Sequence, residues 1–179
     1  MDNGKISVRY ARTLLHDANE QHCEAAVYEQ LVRLTDNYSL AIGKFNEVLS
    51  NPMVGDTEKI QLLKTAIGDP IHPCLIRFLE FVTEKKRENK IFLIALKYQE
   101  MYRKEKHLLK ANITAATELE SQTLEKIKTF VENAFDRQVE IHVNTDPSLI
   151  GGFMLDIEHD RMDASVVGQL NKLKKELQL

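Results

Sequence analysis

The hydrophobic pattern of this chain changes period once, and that change limits the folds open to it. From residue 7 to about residue 105 the apolar side chains recur at the three-and-four spacing of helices facing a core. From Leu109 onward they alternate every second residue, the signature of strands with one buried face. The charged stretch Lys104 to Lys106 stands at the switch, so two domains are expected, residues 1–105 and 106–179. The expected fold is mainly α: an amino-terminal six-helix bundle followed by a small α+β carboxyl-terminal domain.

Within the first part, breaks are expected at Asn51-Pro52, Gly55-Asp56, Gly68-Asp69-Pro70 and His72-Pro73. A boundary between Val32 and Leu40 is poorly marked. Two helices carry more apolar surface than one core face needs. On the first, Ile6, Val8, Tyr10, Ala11, Leu14, Leu15 and Ala18 sweep an arc of roughly 200°. The helix opening at Pro73 does the same with Cys74, Leu75, Ile76, Phe78, Leu79, Phe81 and Val82. Either both helices lie centrally in the bundle, or together they floor a groove for an amphipathic helix from a partner.

In the second part, Leu109, Ala111, Ile113 and Ala115 share one strand face. Ser121 to Phe135 carries Leu124, Ile127, Val131 and Ala134 on one helical face, and Val139, Ile141 and Val143 alternate after it. Pro147 and the pair Gly151-Gly152 mark a tight reversal, since proline fixes φ and glycine tolerates positive φ. Phe153, Leu155 and Ile157 then alternate with Met154, Asp156 and Glu158. After a polar turn, Asp163 and Ser165 stand as caps before a helix striped by Val166, Leu170, Leu173 and Leu177. Strand, helix, strand, strand, helix is the expected order.

Composition narrows the function classes. Of 179 residues, 43% are hydrophobic, enough for packed cores. Residues 1–105 hold 15 basic and 15 acidic groups and residues 106–179 hold 9 and 12, so neither part offers the positive surface a nucleic-acid binder needs for phosphate. The longest purely apolar run, residues 91–96, falls far short of the roughly 20 residues that span a bilayer. Residues 1–20 show no basic, apolar, small-residue leader pattern, so direct membrane insertion is not expected. Cys23 and Cys74 form no CxxC pair and are expected as reduced, buried thiols.

Candidate sites reduce to structural ones. Gly151-Gly152 lacks the GxxxxGK[ST] spacing of a phosphate cradle and reads as a turn. The cluster Asp156, Glu158, His159, Asp160 and Asp163 holds carboxylate oxygens that a cation could take, but alternation places the strand pair on an exposed face, giving a solvated acidic edge. His22-Cys23 and His72-Pro73-Cys74 lack the paired spacing of a zinc site and are set aside. Lys85-Lys86-Arg87, flanked by Glu84 and Glu88, reads as a solvated turn between helices. No nucleophile or metal-hydrolase motif is present in the sequence, so no catalytic residue and no cofactor are expected.

The run Asp146-Pro147-Ser148-Leu149-Ile150-Gly151-Gly152, followed by Met162-Asp163-Ala164-Ser165-Val166 and Gln169-Leu170-x-x-Leu173, resembles the carboxyl-terminal signature of the delta subunits of bacterial F-type ATP synthases, relatives of the mitochondrial oligomycin-sensitivity-conferring protein. Arg9-Tyr10-Ala11 and Glu84-x-x-Arg87 agree in order and position, so the resemblance spans nearly the whole chain. It departs where the family turns with Gly-Asp and this chain has Glu158-His159 before Asp160-Arg161. The resemblance implies a non-catalytic stator subunit on the cytoplasmic side of a bacterial inner membrane, monomeric when free and present once per complex. It would join the catalytic head to the membrane-anchored b subunits.

By that resemblance, the groove between the first and fifth helices would take the amino-terminal helix of an alpha subunit. Its expected residues are Tyr10, Ala11, Leu14, Leu75, Phe78 and Val82. The carboxyl-terminal part of the b subunits would meet the second domain, with Phe153, Leu170, Leu173 and Leu177 as candidates. Pro147, Gly151, Gly152, Asp163 and Ser165 would shape its turns, and Arg87 would serve a structural role at a helix junction. A helical RNA-binding adaptor and a small metal-dependent hydrolase are the rival readings.

Overall fold

The computed structural model describes residues 3–117, 119–157 and 160–176. It divides into two compact units, residues 1–104 and 105–179. The first unit is helical: α1 (Asn3–Glu20), α2 (Glu24–Leu40), α3 (Ile42–Ser50), α4 (Asp56–Ile67), α5 (Pro73–Glu84) and α6 (Ile91–Glu105), with a short 3₁₀ turn at Glu88–Lys90. α1 packs on α2 and α5, and α2 packs on α3 and α4.

The helix ends follow local chemistry. Gly68 closes α4 with φ of 76°, a backbone state that suits glycine. Pro73 opens α5, where its missing N–H is no loss, and His72 caps it by accepting from the Cys74 amide at 3.3 Å. Two other ends carry no glycine. His22 (φ 53°) and Lys86 (φ 54°) both stand in the left-handed region. Each sits in a Schellman arrangement: Cys23 N–H donates to Ala18 O at 2.9 Å and His22 N–H to Asn19 O at 3.1 Å, while Arg87 N–H donates to Val82 O at 3.0 Å and Lys86 N–H to Thr83 O at 2.8 Å. Arg87 thus acts at the junction through its backbone, its side chain being exposed.

The core of this unit holds tyrosines with satisfied hydroxyls. Tyr38 donates to Asn46 Oδ1 at 2.8 Å and Tyr98 to Glu24 O at 3.1 Å, so two large rings are buried without leaving a polar atom unmatched. Burial raises the pKa of both phenols. Gln99 similarly bridges α6 to α2 through Leu31 O and Thr35 Oγ1, both at 3.0 Å.

The second unit is a four-stranded sheet with two helices, in the order β2-β1-β3-β4. β1 (Leu108–Ala115) runs parallel to β2 (Gln138–Thr145), and α7 (Ser121–Phe135) makes the crossover that a parallel pair requires. β3 (Phe153–Ile157) returns antiparallel beside β1, β4 (Asp160–Asp163) pairs with β3, and α8 (Val166–Glu176) follows. Leu109, Ala111, Ile113, Val131, Val139, Leu155 and Ile157 form the core.

Here the structure departs from the expected pattern in three places. Ala134 is exposed, so the apolar face of α7 stops at Val131 with Leu124 and Ile127 packed beneath it. Burial fades along β2 from Val139 to the exposed Val143, as befits an edge strand. And the segment read as a polar turn contains β4. Its four residues are all exposed, so hydrogen bonding to β3 rather than apolar alternation makes it a strand.

Candidate functional site

On the α1–α5 face of the first unit, the apolar excess of the sequence divides into floor and surface. Ala11, Leu14, Leu75 and Val82 are fully buried and Phe78 nearly so; they belong to the unit's own packing. Of the six expected contact residues, only Tyr10 is half-buried. Its ring lies 6.0 Å from that of Phe81, which is 44% exposed and was not among the six. Phe81 sits at the edge of the wide helical arc, and that edge position is the signal that could have singled it out. Arg9 stands 5.9 Å from the Tyr10 ring and Lys85 5.6 Å from the Phe81 ring. The result is a two-ring apolar strip bridging two helices and flanked by cations.

In the second unit, two short hydrogen-bonded turns lead into the glycine pair. Asp146 accepts from Ser148 N–H at 2.9 Å, and Pro147 begins a 3₁₀ turn at Pro147–Leu149. Gly151 N–H then donates to Leu149 O at 2.6 Å across Ile150, whose φ is 63°: a γ-turn, uncommon and strained for a β-branched residue. Gly152 has φ of 76°, and a Cβ there would lie 2.3 Å from Ala164 O, so this position admits only glycine without rearrangement. Asp163 accepts from both Ser165 N–H (2.9 Å) and Ser165 Oγ (2.6 Å), and Ser165 Oγ accepts from Gly168 N–H at 3.0 Å. These bonds hold the Asp163 carboxyl below the usual carboxylate range and cap α8.

The stalk candidates separate in the same way. Phe153 packs against the sheet core. Leu170 is 57% exposed, one turn along α8 from the exposed Val166. The Val166 N–H donates to Gly151 O at 3.0 Å, next to Ile150 with 76% exposure. Ile150, Val166 and Leu170 therefore offer apolar surface around the glycine turn. Ile150 was missed because an apolar residue in a turn has no periodic partner to reveal it, while Val166 was read as part of the α8 stripe but not as a stalk candidate. Leu177 lies outside the described residues, as does the side chain of Leu173.

The charged clusters resolve into pairs. Asp156 and Arg161 face each other across β3 and β4 and form two hydrogen bonds, which depress the Asp156 carboxyl. Glu158 and His159 lie outside the described residues. Lys85 pairs with Glu84 and Lys86 with Asp56, both at 2.7 Å and exposed. Glu88 does not belong to a solvated turn: it is buried, and Lys59 Nζ donates to its Oε1 at 2.7 Å from α4. Nothing in the local sequence marks Glu88, because its partner is 29 residues away.

One juxtaposition lies beyond what local spacing registers. Cys23, His72 and Cys74, set aside for want of paired spacing, offer ligand atoms within 4.8 Å of one another. Cys74 Sγ also donates to Asp17 Oδ2 at 3.2 Å, and burial with this neighbour pushes the thiol pKa up to about 12. Both thiols are free and buried.

No helix among the described residues is long and apolar enough to cross a membrane. Residues 6–177 match the family model for the ATP synthase delta (OSCP) subunit. The chain is 35% identical over 178 residues to the ATP synthase subunit delta of Bacteroides fragilis, covering 98% of this chain and 95% of that one. It is 30% identical over 177 residues to the chloroplastic subunit delta of Porphyra purpurea, with 97% and 93% covered. A chain in the cryo-EM structure of the Toxoplasma gondii mitochondrial ATP synthase hexamer shares the fold, with a TM-score of 0.67, 20% identity and 97% of both chains covered. A match of this extent makes the chain a member of the ATP synthase delta (OSCP) subunit family.

Proposed function

We propose that this chain is the upper joint of the stator of a proton-translocating F-type ATP synthase. As a delta-family member it is a structural subunit of the complex and not its catalyst. The complex is membrane-associated, and the chain serves it as a peripheral component on the cytoplasmic side of a bacterial inner membrane, one copy per complex. Residues 1–105, acting as a six-helix bundle, dock the head; residues 106–179 dock the peripheral stalk. Torque from the rotor drags on the head, and the joint opposes that drag so that proton flow is coupled to conformational change. Two separate docking surfaces on one chain raise the effective concentration of each partner for the other.

The observation that carries this reading is the Tyr10–Phe81 strip on α1 and α5, left accessible above a floor that is already packed. An amphipathic helix fits such a strip, and Arg9 at its edge suits an acidic side chain on that helix. The partner named by this reading is the amino-terminal helix of the alpha subunit. At the other end, Ile150, Val166 and Leu170 are the surface offered to the carboxyl-terminal part of the b subunits. The RNA-adaptor reading draws no support from the basic run at Lys85 and Lys86, since both are paired with carboxylates.

Phe81→Asp tests the head surface. Because Phe81 is exposed, helix content stays as it is, while loss of a ring at the centre of the strip lowers affinity for an alpha-subunit amino-terminal peptide by about 30-fold, equivalent to about 2 kcal/mol. Calorimetric titration reads the change. Affinity unaltered by the substitution would remove the α1–α5 strip from the docking surface.

A further inference from the structure

We propose that Cys23, His72 and Cys74, with Asp17, form a binding site for a single soft divalent cation of the zinc class. The four residues come from three places in the sequence, and the fold brings them together by specific local devices. The Schellman end of α1 delivers Cys23 to the start of α2, with its backbone N–H held by Ala18 O at 2.9 Å. His72 is fixed through its backbone N–H, which donates to Gln30 Oε1 at 3.1 Å, while Gln30 Nε2 donates to Pro70 O at 3.1 Å. Cys74 lies in the first turn of α5, with its Sγ 3.2 Å from Asp17 Oδ2 on α1. A supporting chain stands behind Asp17: Gln21 Nε2 donates to Asp17 Oδ1 at 2.7 Å, and Arg77 Nη2 donates to Gln21 Oε1 at 2.8 Å.

The donor set decides the class of ion. Two sulfurs and an imidazole nitrogen are borderline-soft ligands that suit zinc and exclude magnesium and calcium, which take oxygen shells. Ligand atoms in a tetrahedral zinc site lie about 3.5 Å apart, so a spread of up to 4.8 Å closes by side-chain rotation of about an ångström without moving a helix. Both cysteines stand at helix starts, and each releases its proton as the metal bond forms. Asp17, held through its other oxygen by Gln21, stands beside Cys74 Sγ and orients it. The ion would pin α1 and the start of α2 to the first turn of α5.

Cobalt titration of the chelator-treated full-length protein tests the site. One equivalent of Co²⁺ should bind with sulfur-to-cobalt charge-transfer absorption and the visible bands of tetrahedral cobalt, and zinc should displace it. Cys23→Ser and Cys74→Ser should each lose most of the charge-transfer intensity, and Asp17→Asn should weaken binding about tenfold. Protection of both thiols of the unaltered protein from a maleimide by zinc gives a second reading that no folding defect can mimic. Absence of the charge-transfer band, its survival in Cys74→Ser, or thiols modified equally fast with and without zinc would overturn the site. So would ready oxidation to a Cys23–Cys74 disulfide with no metal uptake.

Discussion

Lys59→Met should lower the unfolding free energy of the first unit by about 3–5 kcal/mol, because it strands the Glu88 carboxylate in the interior. The two side chains are 5% and 7% exposed, and Oε2 of Glu88 has no hydrogen-bond partner of its own, so Lys59 provides the compensation for that buried charge. Glu88→Leu alone should be damaging for the mirror reason, leaving an ammonium group buried. The pair Lys59→Met/Glu88→Leu should recover most of the loss, since apolar groups of similar size carry no desolvation penalty. Urea unfolding of the four proteins in a double-mutant cycle checks this. Additive single effects, with no recovery in the double variant, would mean that the pair is not an interacting unit.

The second large effect concerns the turn that leads into β3. Gly152→Ala should cost about 3 kcal/mol or more: the residue has positive φ, and the new methyl meets backbone atoms, Ala164 O at 2.3 Å and Ser165 Cα at 3.0 Å, which have no rotamer to retreat into. Gly151→Ala is the control. Its φ is not in the left-handed region, and its Cβ would touch only the Val166 side chain at 3.1 Å, so it should cost less than about 1 kcal/mol. Thermal unfolding followed in the second unit distinguishes them. Equal losses from the two alanines would show that the 2.3 Å contact is relieved by backbone adjustment and that the pair acts only through flexibility.

The comparison of these two glycines also shows what the sequence could reveal. Gly-Gly beside a proline announces a turn, but which glycine is indispensable depends on Ala164, brought there by the pairing of β3 with β4. Elements with a strong apolar period were legible: β1, with every second residue buried, and α7, whose ends coincide with the expected Ser121 and Phe135. The ends of α1 and α5 were not, because His22 and Lys86 occupy positions that glycine usually marks, and only the hydrogen bonds around them reveal the stop. β4 escaped because Asp160, Arg161, Met162 and Asp163 have no buried face to write a pattern.

The candidate surfaces were legible to the level of the helix and no finer. An arc of roughly 200° says that a helix has more apolar surface than one face requires, yet it does not say which residues the neighbouring helices claim. The packing of α1 on α2 and α5 consumes Ala11, Leu14, Leu75 and Val82 and leaves Tyr10 with Phe81 at the rim. Likewise Glu88, Cys23 and His72 gain their significance from partners distant in sequence, Lys59 and Cys74 among them, which local spacing cannot register.

The central claim is that one continuous chain, through two separately docking units, holds the head to the stalk. Membranes stripped of this subunit and of the head should retain added head, and resume proton-driven ATP synthesis, when the full chain is supplied. An equimolar mixture of the pieces 1–104 and 105–179 should restore neither. Full recovery with the severed mixture, or firm head attachment and coupled synthesis with no chain added, would contradict the account.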